Sequence, residues 1–145
     1  MKALIQRVTH GSVSVGGHTL AKIGHGLVIL LGIGHVDSDT QAQAMAEKIA
    51  TLRVFEDEAG KMNWSILDTQ GSALVISQFT LYADTRKGRR PAFTDAAAPD
   101  IAVKLVNTFT RALIDLGVPT QSGEFGAHMS VEIENDGPVT IMIEI

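Results

Sequence analysis

Residues 26–34 read Gly-Leu-Val-Ile-Leu-Leu-Gly-Ile-Gly, and this run decides the fold. Leu27 to Ile33 are apolar at nearly every position instead of every second one, so both faces of the strand they form need cover. That predicts a central strand. Upstream the pattern changes to alternation. Ala3, Ile5, Arg7/Val8, then Val13 and Val15 predict a strand, an irregularity and a second strand ending at Gly16-Gly17. Leu20 to Ile23 give one more strand before Gly24-His25-Gly26.

Downstream the period lengthens. Ser38 or Asp39 caps a helix whose buried face is Ala42, Met45, Ala46, Ile49 and Leu52. Arg53-Val54-Phe55 leads into a polar turn at Glu56 to Lys61, and Ala73 to Phe79 is a strongly apolar strand. Residues 83–95 are polar, contain Gly and Pro, and predict a long loop. Pro99 suits a first helical turn. After it Ala102, Leu105, Val106, Phe109, Ala112, Leu113 and Leu116 form the clearest helical stripe in the chain, stopped by Gly117 and Pro119. His128 to Glu134 and Val139 to Ile145 alternate as strands, and Asn135 to Pro138 between them reads as a hairpin turn. The prediction is a single α+β domain over residues 1–145, an antiparallel or mixed sheet curled toward a barrel with two main helices packed outside.

Composition narrows the function classes. The chain has 145 residues, is 45% hydrophobic and carries a net charge of −4. A chain of this length buries roughly 68–70% of its unfolded surface, enough for a real core. It has no cysteine, which excludes disulfides, thiolate metal sites and a Cys nucleophile. The run at 26–34 is far short of the ~20 residues that span a bilayer. Lys2, Gln6, Arg7, Thr9 and His10 leave no room for a signal-peptide apolar segment in the first ten residues. A soluble cytoplasmic protein is expected, without membrane partners. The acidic balance argues against coating nucleic acid, which needs a broad basic surface.

Several features carry no chemistry. The histidines at 10, 18, 25, 35 and 128 lack metal-ligand spacing, so neither a metal nor another cofactor is expected. Gly32-Ile33-Gly34-His35-Val36-Asp37 begins like a dinucleotide fingerprint, but Asp37 replaces the last glycine and no parallel unit is predicted around it. Ser77 lacks the glycine elbow of a hydrolase nucleophile.

Three segments resist a purely structural reading. Ser77-Gln78-Phe79-Thr80-Leu81 puts polar side chains at the end of an apolar strand, where a sheet opens to a pocket. Arg86-Lys87-Gly88-Arg89-Arg90-Pro91 gathers four of the 12 basic residues, and arginine suits forked contacts with phosphate. Gly137-Pro138 offers backbone carbonyls close to a ligand with little side-chain bulk.

On these residues the sequence closely resembles the D-aminoacyl-tRNA deacylases of the homodimeric kind. The resemblance runs from Met1 to Ile145. It is carried by Gln6-Arg7-Val8, Ser12-Val13-Ser14-Val15, the 77–81 and 87–91 segments, Gly123 to Met129, and Asn135 to Thr140. Gly11 stands where the family has Ala, and Ile133 where it has Leu; neither touches the motifs.

The resemblance implies hydrolysis of the ester joining a D-amino acid to the terminal ribose of tRNA. It implies a homodimer with the active site at the subunit interface, and a cis Gly137-Pro138 reaching into the partner's pocket. A backbone wall in the place of an L side chain would reject L substrates by collision. Glycine has hydrogen at both positions, so such a wall cannot exclude it, and glycyl-tRNA should also be cleaved. The implied roles give Ser77 and Gln78 the terminal adenosine or reacting ester, and Phe79 and Thr80 the oxyanion region. Phe125, Ala127 and Met129 line the pocket. Arg86, Lys87, Arg89 and Arg90 are candidates for tRNA backbone contacts. Two mechanisms stay open: attack by the Thr80 hydroxyl, or a water-based route assisted by the substrate's 2′-hydroxyl with backbone amides near Gln78 to Thr80 as oxyanion donors.

Overall fold

The computed structural model describes residues 1–145. Strands β1 (Lys2–Val15), β2 (His18–Ile23) and β3 (Gly26–Gly32) come first. Helix α1 (Asp39–Thr51), the small hairpin β4 (Phe55–Glu56) and β5 (Met62–Trp64), and β6 (Ser72–Ser77) follow. A short 3-10 turn, Phe79–Tyr82, leads toward α2 (Pro99–Asp115), and β7 (Thr120–Ser122) and β8 (Ser130–Glu144) close the chain.

The main sheet runs β2-β1-β3-β6-β7, with β8 on the other edge of β1. β3 sits at its centre, as its double apolarity requires. It pairs antiparallel to β1 (Ile5 opposite Ile29) and parallel to β6 (Ile29 opposite Val75). β6 and β7 are also parallel, so the sheet is mixed. Parallel neighbours need crossovers, and α1 and α2 supply them. The sequence predicts no parallel unit around residues 32–37, yet β3, α1 and β6 form one. The β4–β5 hairpin inserted between α1 and β6 hides that connection in the sequence.

The two sheet faces have separate cores. Ala3, Ile5, Leu27, Ile29, Leu31, Ala73 and Val75 pack under α1 and α2, around Met45, Ile49, Phe109 and Leu113. The opposite face packs Val28, Leu74 and Ile76 against Val8, Val13, Ala21 and Ile23, because the second half of β1 bends over with β2. Closure between β2 and β7 is made by a side chain: Gln121 Oε1 accepts from Lys22 N–H (3.2 Å), and its amide donates to Lys22 C=O (2.8 Å). The result is a sheet nearly closed into a barrel with two helices on one side. At Gly11 a Cβ would lie 2.6 Å from Val28 Cγ2; Val28 fills the space.

Two expectations about the strands change. β1 is one continuous strand, its irregularity being a register shift around Arg7 and Val8. The 135–138 break is not a hairpin. β8 pairs with β1 on both sides of it, from Lys2 opposite Glu144 to Ser14 opposite Ser130. Gln6 faces Thr140 and Val8 faces Asn135, so Arg7 alone stands opposite Asp136 to Val139, which swell out as a wide bulge. The apolar 73–79 segment leaves the sheet at Ser77, and β7 is an element the periodicity does not show, because three residues are too few for a pattern. No helix is long and apolar enough to cross a membrane.

Gly26 shows how tightly β3 and β6 are joined. A Cβ there would lie 1.8 Å from the Ser72 carbonyl oxygen, a contact that only backbone movement relieves. Gly26→Ala is therefore expected to lower the unfolding free energy by at least about 2 kcal/mol. Urea denaturation measures it, and a change below about 0.5 kcal/mol would contradict the close approach.

Candidate active site

β6 and β3 run parallel and end together, and a cavity of about 540 Å³ opens at their C-terminal ends. The crevice beyond the carboxyl ends of parallel strands is where such sheets usually bind ligands. Leu31, Ile33 and Ile76 form its floor, Ala97 together with Pro99, Ala102 and Val106 of α2 one wall, and Phe125 to Met129 another. Ser77, Gln78 and Phe79 stand at the strand end where the walls meet.

The 3-10 turn is held from below. The carboxylate of Asp37, almost fully buried, accepts from Gly34 N–H (2.7 Å), from the Met1 α-ammonium (2.6 Å) and from Tyr82 O–H (3.4 Å). Burial and the Asp37 charge push the Tyr82 phenol well above its usual range, so it stays a donor. Asp37 also takes the Gly34 amide that a bound phosphate would need, a physical ground against the dinucleotide reading of 32–37. The turn opens with Gln78 N–H already given to Leu31 C=O (2.8 Å). Its first turn bond is Leu81 N–H to Gln78 C=O (3.3 Å), so the N–H groups of Phe79 and Thr80 precede any acceptor within the turn. The Gln78 side-chain amide bonds the Thr80 hydroxyl. An amide neither takes nor gives a proton near neutrality, so it orients this hydroxyl without activating it.

The expected site residues divide into three places. Ser77, Gln78, Phe79, Phe125, Ala127 and Met129 line one cavity, with Thr80 beside it on the turn. Arg86, Lys87, Arg89 and Arg90 lie on a finger pinched at its base by backbone bonds between Asp84 and Ala92 (2.8 and 3.0 Å). That base adjoins the cavity, because the Phe93 ring packs edge-on against Phe79 at 4.9 Å. Arg86 differs from the other three. Its guanidinium forks onto Asp84 (2.8 and 2.7 Å), which holds the Asp84 carboxyl far below the usual range. Lys87, Arg89 and Arg90 are the unpaired cations of the finger.

Gly137 and Pro138 lie apart, on the exposed crest of the β8 bulge, and do not line the cavity of their own chain. Their peptide bond is cis. Asn135 closes the neck of the bulge: its side chain accepts from Val139 N–H (2.8 Å) and donates to Val139 C=O (3.1 Å). A Cβ on Gly137 would meet Val139 at 2.8 Å, so only glycine leaves this crest bare.

Arg7 lies in the Gln6-Arg7-Val8 segment, to which the sequence reading gives no role in the site. Its side chain is 4% exposed. Nη1 donates to Val54 C=O (2.7 Å), Nε donates to Asp136 C=O (3.0 Å), and Nη2 lies 3.4 Å from Glu56 Oε1. The guanidinium thus fixes the carbonyl next to Gly137. The signal was present: Ala3 and Ile5 set an inward phase, and a charged residue in that phase needs buried acceptors.

Residues 4–144 match the family model described as D-Tyr-tRNA(Tyr) deacylase. The D-aminoacyl-tRNA deacylase of Thermomicrobium roseum is 56% identical over 144 residues, covering 99% of this chain and 94% of the relative. That of Thermosipho africanus is 51% identical, covering 99% and 97%. A solved structure described as a c-Myc DNA unwinding element binding protein superposes with a TM-score of 0.95 at 44% identity, covering 100% of this chain and 99% of that one. A probable eukaryotic D-amino acid tRNA deacylase shares the fold, with a TM-score of 0.86 at 16% identity over 99% and 98%.

Removing the Arg7 guanidinium strips the bulge and Val54 of their buried donor. Arg7→Ala is expected to cost about 3 kcal/mol in urea denaturation, while Arg53→Ala at an exposed position stays within about 0.5 kcal/mol. Equal effects of the two would show that Arg7 does not anchor the bulge.

Proposed function

The chain belongs to the D-Tyr-tRNA(Tyr) deacylase family, and we propose that it hydrolyses the ester of D-aminoacyl-tRNA and of glycyl-tRNA at a site completed by a second copy of itself. The observation that carries this reading is the cavity at the ends of β3 and β6, walled by Ser77 to Phe79 and Phe125 to Met129. Its walls are mostly apolar and hold no carboxylate. They suit adenine and an aminoacyl group, and leave discrimination to shape.

Three features support a second copy. β8 is 15 residues long and only one of its edges is paired. Met142, Leu4, Leu30 and Ile76 are successive cross-strand neighbours. Met142 is exposed, Leu4 and Leu30 half-buried, and Ile76 lines the cavity. An apolar row, exposed at Met142 and buried by Ile76, thus leads from the free edge to the site. Two such rows facing each other would make an isologous contact, with the bare crest at Gly137-Pro138 available to enter the partner's cavity. There its carbonyls would hold the substrate ammonium while its backbone fills the place of an L side chain. The substrate class fits work in the cytoplasm. Duplex DNA, suggested by the description of one structural neighbour, fits poorly with a net charge of −4.

The chemistry proceeds without a side-chain base. Water attacks the ester carbonyl, and the substrate's 2′-hydroxyl relays the proton to the departing 3′-oxygen. The N–H groups of Phe79 and Thr80 hold the oxyanion, each donor contributing about 3–4 kcal/mol. Gln78 donates through its side chain only, since its backbone N–H is engaged. Lys87, Arg89 and Arg90 on the neighbouring finger offer the RNA backbone a cationic contact.

D-Tyr-tRNA and Gly-tRNA are expected to be deacylated at substoichiometric protein while L-Tyr-tRNA survives, with release of labelled amino acid as the measurement. Intact Gly-tRNA beside rapid D-Tyr release would refute the wall. Thr80→Ala is expected to keep activity within about tenfold of the parent. A folded variant losing 10³-fold or more would make the hydroxyl the nucleophile.

A further inference from the structure

The cavity wall contains one ionisable side chain, that of His128, since none of the other lining residues is acidic or basic. The imidazole is exposed and enters none of the chain's ion pairs. Its backbone neighbours Ala127 and Met129 line the same wall, and Phe79, with the basic finger behind it through Phe93, stands among the other lining residues. A nucleotide with its ester at Ser77 to Phe79 must lead its 5′-phosphate out through the open side of this cavity. An anion there meets one cation-capable group in an otherwise uncharged wall.

We propose that His128 binds the phosphodiester that joins the terminal nucleotide to the rest of the RNA strand. This deepens the deacylase reading and rests on it. The phosphate is the one charged part of the terminal nucleotide that is the same for every amino acid, so the contact adds affinity without regard to the aminoacyl group. The imidazole ring offers N–H donors to the phosphate oxygens. Gly126, Ala127 and Met129 on its own segment and Ser77, Gln78 and Phe79 on the strand end carry no charge to oppose or mimic this contact.

The test compares adenosine with adenosine 5′-(methyl phosphate) as competitive inhibitors of D-aminoacyl-tRNA deacylation. The diester adds a phosphate with one negative charge to the same nucleoside. With the parent protein the diester is expected to bind about threefold to fivefold more tightly than adenosine. In His128→Ala the two should bind alike, with adenosine binding unchanged from the parent. An advantage that persists in His128→Ala, or one that is absent from the parent, overturns the assignment. Loss of adenosine binding in His128→Ala also overturns it, because the residue would then act on the nucleoside. Failure of adenosine to bind the parent protein refutes the nucleoside placement itself, whereas failure to cleave D-aminoacyl-tRNA refutes the deacylase reading.

Discussion

Leu27, Ile29 and Leu31 need apolar cover on one face of the sheet, and Val28 needs it on the other. The rest of the architecture follows from meeting both demands in a chain of 145 residues. Two helices cover the first face. There is no third helix for the second, so β1 bends and brings its own far half back with β2. That bend makes the sheet a near-barrel and leaves its open end where β3 and β6 stop. The cavity is what remains when a bent sheet covers only part of its own inner face.

Polar groups then fix the irregular segments at that open end. Asp37 gathers Gly34, Tyr82 and the amino terminus beneath the 3-10 turn. Arg7 gathers Val54, Glu56 and Asp136 beneath the β8 bulge. In each case a buried charge is tolerated because both carboxylate oxygens of Asp37 and all three guanidinium nitrogens of Arg7 have a hydrogen-bond partner. Preorganised backbone is expensive to build, but it needs no reactive side chain to discriminate or to stabilise an oxyanion. This accounts for a candidate active site whose walls hold serine, glutamine, one histidine, aromatic and aliphatic groups and no carboxylate.

The relatives that share this chain's length and sequence carry the deacylase name, while a 44% identical structure is described by DNA binding. Fold alone does not choose between such descriptions. The site does favour one: a cavity of nucleotide size beside a small cationic finger, on a chain that is acidic overall, suits the end of an RNA strand better than the length of a duplex.

The sequence by itself determined the central strand, both helices and most of their buried faces, with Leu116 the exception that stands exposed just past α2, and the place where β6 turns polar. Those are local periodicities, and burial of one face leaves its trace at every second or every third to fourth residue. It also carried the 77–81 and 135–140 motifs, though not where they stand relative to each other. Only the tertiary structure decided that β3 and β6 are parallel, that 135–138 is a bulge in a continuous strand, that Gln78 has spent its N–H on Leu31, and that Arg86 is occupied by Asp84. Each of these depends on which partner a backbone group or a charge meets across the fold. A pattern of hydrophobicity along the chain holds no record of that, because a hydrogen bond satisfied at long range leaves the local period unchanged.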